Sequence, residues 1–281
     1  MTHKLYAMDT SFYNSATTYD FAARCGITKA LGFDATYLTL WSDRAWQDVP
    51  LLKNVKADHD LDVAAVYVTL DISESEDYGN NARILELVQT LEGCKSIELN
   101  INAHRLEKTS DPAGDDWAVA WLEKLLAVAE KRDIQLLLYP HFYSWLERIE
   151  DGVRLCERVN HPNLGMVFTA FHWYAIDGKD LKPKLSSAAP YIRAAALSGH
   201  TRTPYARQPV TVEPLDSGEL DQFFVLSVLK EIGFEGPIGI QGFSVGGDVY
   251  KRLERSVKMF RDLEARLDAQ PEWAQFRAPR S

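Results

Sequence analysis

The sequence predicts an α/β protein built as a single (β/α)8 TIM barrel, and three observations carry that prediction. Short β-rich runs alternate eight times with helix-patterned stretches along almost the whole chain. The runs are near-continuously apolar, as strands of a parallel sheet covered on both faces are. The length of 281 residues suits one barrel, which typically needs ~250. An open doubly wound sheet is the rival. It is opposed by the count of eight and by the lack of a G-x-G-x-x-G or P-loop pattern at any strand-to-helix turn.

Taken in order, residues 5–9 read as the first strand. Residues 18–31 follow with helical spacing and close at Gly32-Phe33-Asp34. Residues 36–41 form the second strand, and a polar amphipathic helix is expected over 43–59. The third strand, 63–71, is apolar and β-branched. A helix over 81–91 and a strand over 96–103 come next. Asp115 and Asp116 place negative charge where a helix N-terminus favours it, and that helix runs to 131. The fifth strand is 135–141, with a helix over 145–159. The sixth is 164–171, followed by a short helix over 180–188. The seventh is 193–200. A longer loop over 201–218 holds Pro204, Pro209 and Pro214. A helix over 220–232, a strand over 237–243 and a long helix over 249–267 complete the pattern. Residues 1–267 are thus one barrel domain, and 268–281 a polar tail expected to fray.

Composition narrows the function classes. Hydrophobic content of 46% and charged content of 25% are ordinary for a soluble globular protein. A net charge of -9 argues against nucleic acid as a partner. Cys25, Cys94 and Cys156 are odd in number and fall in or at the end of helical segments, so buried free thiols and a reducing compartment are expected. The N-terminus lacks a basic stretch followed by an apolar one, and no apolar run nears the ~20 residues that span a bilayer. The expectation is a soluble, cytoplasmic protein with no membrane partner.

Active sites of such barrels lie at the C-terminal ends of the strands. The candidates there are Asp9, Trp41, Asp71, Asn100 or Asn102, Tyr139, His141, Thr169, His172, His200 and Gln241. Side chains alternate along a strand, so Tyr139 and His141 share a face. Any one of the three histidines, taken alone, is more often structural. At three neighbouring strand ends they suggest a shared site, because imidazole titrates near neutrality. Asp9 and Asp71 are the only carboxylates at the expected strand ends. Each could be a general base or orient a histidine, against a cap or loop hydrogen bond. Trp41, Phe142, Tyr143, Trp145, Phe171, Trp173 and Tyr174 crowd the same rim, as suits a sugar ring with an apolar face. Arg202 or Arg207 could hold an anionic or hydroxyl-rich substrate, against simple solvation. The run Ser244-Val-Gly-Gly-Asp248 could bind phosphate at a helix start.

Four segments carry a family resemblance: Tyr139-Pro-His141, Asn163-Leu-Gly-Met-Val-Phe-Thr169-Ala-Phe-His172, Leu215-Asp-Ser-Gly-Glu-Leu-Asp221 and Gly233-Phe-Glu-Gly-Pro-Ile-Gly-Ile-Gln241. With them the chain resembles the xylose isomerase-like TIM barrels. That superfamily holds sugar and sugar-phosphate isomerases and epimerases, inosose dehydratase and endonuclease IV. The resemblance implies a divalent ion, often manganese, on Glu, Asp, His and Glu from strands 5 to 8. Those positions here are Tyr139, Thr169, Ala196 or Leu197, and Gln241, so all four usual ligands are replaced. The family's substrate-contacting histidine is matched by His172. Mn²⁺ and Mg²⁺ prefer charged oxygen ligands. A rebuilt site on His141, His172, His200 and Gln241 would favour Zn²⁺, Fe²⁺ or Ni²⁺ instead.

The resulting expectation is an enzyme moving a proton at a carbon next to a carbonyl in a sugar or keto-sugar, as an isomerase, an epimerase or a related lyase. His172 would contact substrate hydroxyls. His141 or His200 would be acid or base, with Asp71 or Asp9 as partner. Tyr139 and Gln241 would hydrogen-bond an enediolate or carbonyl oxygen, and Thr169, Trp41, Arg202 and Asp9 would complete substrate binding. No cofactor is expected beyond a divalent metal at the rebuilt site. The alternative is a non-catalytic sugar-binding barrel of the same family. A homo-oligomer is a family expectation only.

Overall fold

A computed structural model describes residues 2–13, 19–203, 209–243 and 245–274. Eight parallel strands close into a barrel in sequence order. They are β1 (Leu5–Ala7), β2 (Ala35–Thr39), β3 (Asp62–Asp71), β4 (Ser96–Asn102), β5 (Gln135–Leu138), β6 (Leu164–Thr169), β7 (Ile192–Leu197) and β8 (Ile238–Ile240). Closure is made where β1 pairs β8, with Leu5 opposite Ile238 and Ala7 opposite Ile240. The helices are α1 (Phe21–Ala30), α2 (Asp43–Asp48), α3 (Val55–His59), α4 (Asn81–Thr90), α5 (Asp115–Ala129), α6 (Ile149–Val159), α7 (Ala170–Ile176), α8 (Leu181–Ala188), α9 (Gln222–Glu231) and α10 (Val249–Ala269).

Two-residue alternation splits each strand between two cores. Outward residues such as Leu38, Val66, Val68, Ile97, Leu99, Leu136, Leu138, Phe168 and Leu197 pack under the helices in the main core. Each such aliphatic side chain contributes roughly 1.5–3 kcal/mol on burial. Inward residues form a separate cluster inside the barrel: Tyr6, Tyr37, Tyr67, Leu137, Tyr139, Val167, Ala194 and Ala196. Side-chain carboxylates or hydroxyls start several helices. Asp20 accepts from the Ala23 N–H, Ser42 from Ala45, Asp221 from Phe223 and Phe224, and Asp248 from Lys251, each worth ~1 kcal/mol. Cys25, Cys94 and Cys156 are buried and free. No described helix is long and apolar enough to cross a membrane.

Several expected boundaries move. The single helix expected over 43–59 is three pieces, α2, a 3-10 turn over Val49–Asn54 that carries Pro50 at its start, and α3. Proline has no N–H for the α-helical ladder. Strand ladders stop earlier than expected. β5 ends at Leu138 and β7 at Leu197, so His141 and His200 lie in the loops beyond. β6 ends at Thr169, and His172 sits in the first turn of α7, a helix the sequence reading had counted partly as strand. The helix expected from Thr18 begins at Phe21; Thr18 lies outside the described residues.

Candidate active site

A cavity of about 470 Å³ opens at the C-terminal end of the barrel. Tyr37, Tyr67, Tyr139 and Gln241 form its floor and sides; Trp41, Phe142, Tyr143, Phe171 and Phe243 form its apolar wall; His141 and His172 line it together. Trp41 meets Tyr67 and Phe243 edge-on, at 6.0 and 5.7 Å between ring centres. This is an amphipathic pocket of aromatic faces with a few convergent polar groups.

The loop after β5 builds the histidine pair. Pro140 breaks the ladder, and a turn follows in which the His141 carbonyl accepts the Ser144 N–H at 2.9 Å. Tyr143 takes a left-handed φ of 73°, a conformation that costs a non-glycine residue of order 1 kcal/mol and tends to persist at functional sites. Its N–H is held by the Glu147 carboxylate at 3.1 Å. The turn brings the Phe142 backbone to the Nδ1 atoms of both imidazoles, whose ring centres are 4.0 Å apart.

The backbone of Phe142, through its N–H and its C=O, sets both tautomers. A carbonyl only accepts, so the 2.7 Å contact from His141 Nδ1 to the Phe142 oxygen makes Nδ1 the donor. His141 therefore carries Nδ1–H and keeps a lone pair on Nε2. A backbone N–H only donates, so the 3.1 Å contact from Phe142 N makes His172 Nδ1 the acceptor. Neutral His172 therefore carries its proton on Nε2. Burial lowers His141 to a pKa of about 4. His172 is pushed well below its ordinary value by burial first, then by His141 and His200. Both rings are neutral near pH 7, one an acceptor and the other a donor.

The other candidates divide. Tyr139 and Gln241 line the cavity, and Gln241 Oε1 is buried without a hydrogen-bond partner among the described residues. Trp41 lines it as well. His200 does not. It is fully buried, its Nδ1 donates to the Thr211 carbonyl at 3.0 Å, and Ser198 Oγ lies 3.4 Å from its Nε2. The ring thereby clamps the loop after β7, where Gly199 pairs with Glu213 and Arg202 with Val210. Thr169 is buried outside the cavity lining.

Asp9 is taken up by the Thr39 N–H and hydroxyl, Tyr13 and Arg24, at 3.0, 2.7, 2.6 and 3.2 Å. Asp71 holds the Ser73 N–H and hydroxyl and pairs with His104. The hydrogen bonds of both carboxylates run to residues other than His141 and His200, and neither lines the cavity. Arg202 lies over the Tyr174 ring at 4.4 Å and donates to the Tyr174 and Asp177 carbonyls. Arg207 and Ser244 lie outside the described residues. The helix start that phosphate would need after β8 is capped by the protein's own Asp248 carboxylate. Of the other rim aromatics, Trp145 and Trp173 are buried and donate to the Asp111 and Lys179 carbonyls.

Glu98 is the residue that reasoning from strand ends missed. It sits in mid-strand on β4, 1% exposed inside the barrel, hydrogen-bonded to the Tyr37 hydroxyl. Its signal was in the alternation of β4, where Ser96, Glu98, Asn100 and Asn102 interleave with Ile97, Leu99 and Ile101.

The donor set does not fit the family's metal. The four positions offer a phenol, a hydroxyl, an aliphatic side chain and an amide where Mn²⁺ or Mg²⁺ wants carboxylates. Among the described residues no three His, Cys, Asp or Glu side chains are grouped to hold an ion.

A family model described as a xylose isomerase-like TIM barrel matches residues 25–263. A Danio rerio protein provisionally named hydroxypyruvate isomerase is 29% identical over 102 residues, covering 36% of this chain and 33% of that protein. The chain spans about a third of the length of the curated relatives it matches. Among solved structures, L-ribulose 3-epimerase superposes with a TM-score of 0.77 at 15% identity, covering 99% of this chain and 100% of that one. The apo form of 3-keto-D-glucoside 4-epimerase from E. coli gives 0.72 at 15%, covering 93% and 100%. At such identities these two likenesses concern the fold.

Proposed function

The chain belongs to the xylose isomerase-like TIM barrels, and from that premise we propose that it is a sugar or keto-sugar isomerase or epimerase that moves a proton at a carbon beside a carbonyl without a resident metal ion. The observation that carries this reading is the pair of complementary neutral tautomers set by the backbone N–H and C=O of Phe142. His141 Nε2 takes the proton from carbon. His172 Nε2–H donates to the carbonyl oxygen as it gains charge. Tyr67 and Tyr139, whose phenols burial holds above their ordinary pKa, stay protonated and serve as neutral donors beside it. Gln241 Oε1 lacks a donor and accepts from a substrate hydroxyl. The aromatic wall takes the apolar face of the sugar. The relatives' names, hydroxypyruvate isomerase and sugar 3- and 4-epimerases, belong to this class of proton movement.

The replacement of all four ligand positions is the observation that favours the second reading, a barrel that binds sugar without turning it over. Deuterium wash-in separates the two. Ketoses and 3-keto-glycosides incubated with the protein in D₂O should exchange the hydrogen next to the carbonyl, and His141→Ala should slow that exchange by about 10²–10⁴-fold. Binding of a sugar with no exchange in the unsubstituted protein would leave only the second reading.

A further inference from the structure

TIM barrel interiors are normally filled by layers of side chains. Here the layer nearest the N-terminal face is built from small or short residues, among them Ala64, Ser96 and Ala194, and a second cavity of about 430 Å³ lies there. Glu98 lines this lower cavity, and Tyr37 lines the upper one. A single hydrogen bond, Tyr37 to Glu98, joins the two across the barrel axis. The other carboxyl oxygen, Oε1, is buried without a partner among the described residues. A buried, half-satisfied carboxyl is costly enough to call for an explanation. Tyr37 stands on β2, four strands from the β6 that leads into His172 in a barrel of eight. It faces the site from the side opposite the histidines.

We propose that Glu98 and Tyr37 form a proton relay through the barrel floor, connecting the cavity at the N-terminal face with the catalytic pocket. The proposal rests on the proton-transfer reading of that pocket. The Tyr37 hydroxyl donates to Glu98 Oε2, so the carboxyl proton of Glu98 sits on Oε1. In one step Tyr37 gives its hydroxyl proton to Oε2 and takes a proton from a donor in the pocket above, while Oε1 releases its proton to water at the N-terminal face. Tyr37 ends neutral and Glu98 ends protonated, and the reverse sequence carries a proton in.

The surroundings of Glu98 suit a proton store. Tyr6, Tyr37, Tyr67 and Tyr139 face it from β1, β2, β3 and β5, and Cys94 lies just before its own strand. Arg193, from β7, is the cation lining the lower cavity, and it donates to the Pro190 and Ile192 carbonyls. Burial raises Glu98 to about 8 and outweighs the Tyr37 hydrogen bond, which lowers it, so the carboxyl keeps its proton at neutral pH.

The test compares the full-length protein with Glu98→Gln and with Ala194→Leu, which fills the lower cavity without touching the upper one. On the ketose found by deuterium wash-in, both should lower kcat by about tenfold or more with KM within about twofold. Both should also raise the share of substrate hydrogen retained in product. The unsubstituted enzyme should lose kcat as pH rises through about 8, where Glu98 gives up its proton, and Glu98→Gln should lack that limb. A folded Glu98→Gln protein with unchanged kcat, retention and pH profile overturns the relay. Absence of exchange with every ketose defeats the functional reading instead. The relay is then decided by the infrared carboxyl stretch lost in Glu98→Gln. The relay is upheld if its H/D exchange slows in Ala194→Leu and its frequency moves in Tyr37→Phe, and overturned if neither change occurs.

Discussion

At the scale of single residues, the backbone of Phe142 acts twice, its carbonyl taking the Nδ1–H of His141 and its N–H feeding Nδ1 of His172. Chemically similar rings thereby become an acceptor and a donor, which a pair of free imidazoles would not. The consequence can be read in pH. His141 works as a base only when neutral, and burial lowers its pKa to about 4. The neutral form is complete above that value and is lost as pH falls through it. We therefore expect kcat/KM to stay level from neutral pH down to about 5 and to fall with a midpoint near 4. An ordinary imidazole would place that limb near ~6.5, and a limb centred there would show that His141 is not the base. His141, His172, Tyr139 and Gln241 were legible in the sequence because each follows an apolar run at a strand end. Glu98 was not, because its meaning depends on closure: only inside a barrel does the inward face of a strand become the floor of a site.

Individual elements show where local pattern gives way to tertiary constraint. Apolar runs located all eight strands, yet β5, β7 and β8 end before the polar residues that close their runs, since those residues form the rim loops, whereas β3, β4 and β6 include Asp71, Asn102 and Thr169. The start of α7 was unreadable for a related reason: Ala170-Phe171-His172-Trp173 is as apolar as the strand before it, so no change of pattern marks the boundary. Asp9 and Asp71 were expected at the site as a base or a histidine's partner, and Arg202 as a substrate-binding cation. Each is instead engaged locally, by Arg24, by His104 and Ser73, and by backbone carbonyls. Such pairings depend on residues distant in sequence. In β8 the constraint is steric. Gly239 faces the barrel interior, where an added Cβ would lie 2.5 Å from the Tyr6 ring. Tyr6 stacks on Tyr37 at 5.6 Å, so Gly239→Ala must displace the tyrosine layer. The expected loss is about 1–3 kcal/mol of stability, measured as a lower denaturant midpoint at unchanged slope. An unchanged midpoint would mean that the layer yields freely.

The whole molecule keeps the barrel of its family and places its polar groups differently. Closure through β1 and β8 brings the ends of all eight strands to one mouth, which is why strand ends alone pointed to the cavity there. The proposed chemistry was less legible, because at the positions the family resemblance assigns to charged ligands the sequence offers Tyr139, Thr169, an aliphatic residue on β7 and Gln241. The proposed site is neutral: two uncharged imidazoles, several phenols and an amide against an aromatic wall, with the buried Glu98 carboxyl held protonated beneath. A neutral site must stabilise an enediolate through hydrogen bonds in a low-dielectric cavity rather than through a cation. The most direct measurement of that claim is the rate of deuterium exchange beside the ketose carbonyl in chelator-treated protein, before and after adding Mn²⁺. Exchange that persists after chelation, changes by less than about twofold with Mn²⁺ and is lost in His141→Ala is the predicted result. Exchange that appears only when the metal is added would contradict it.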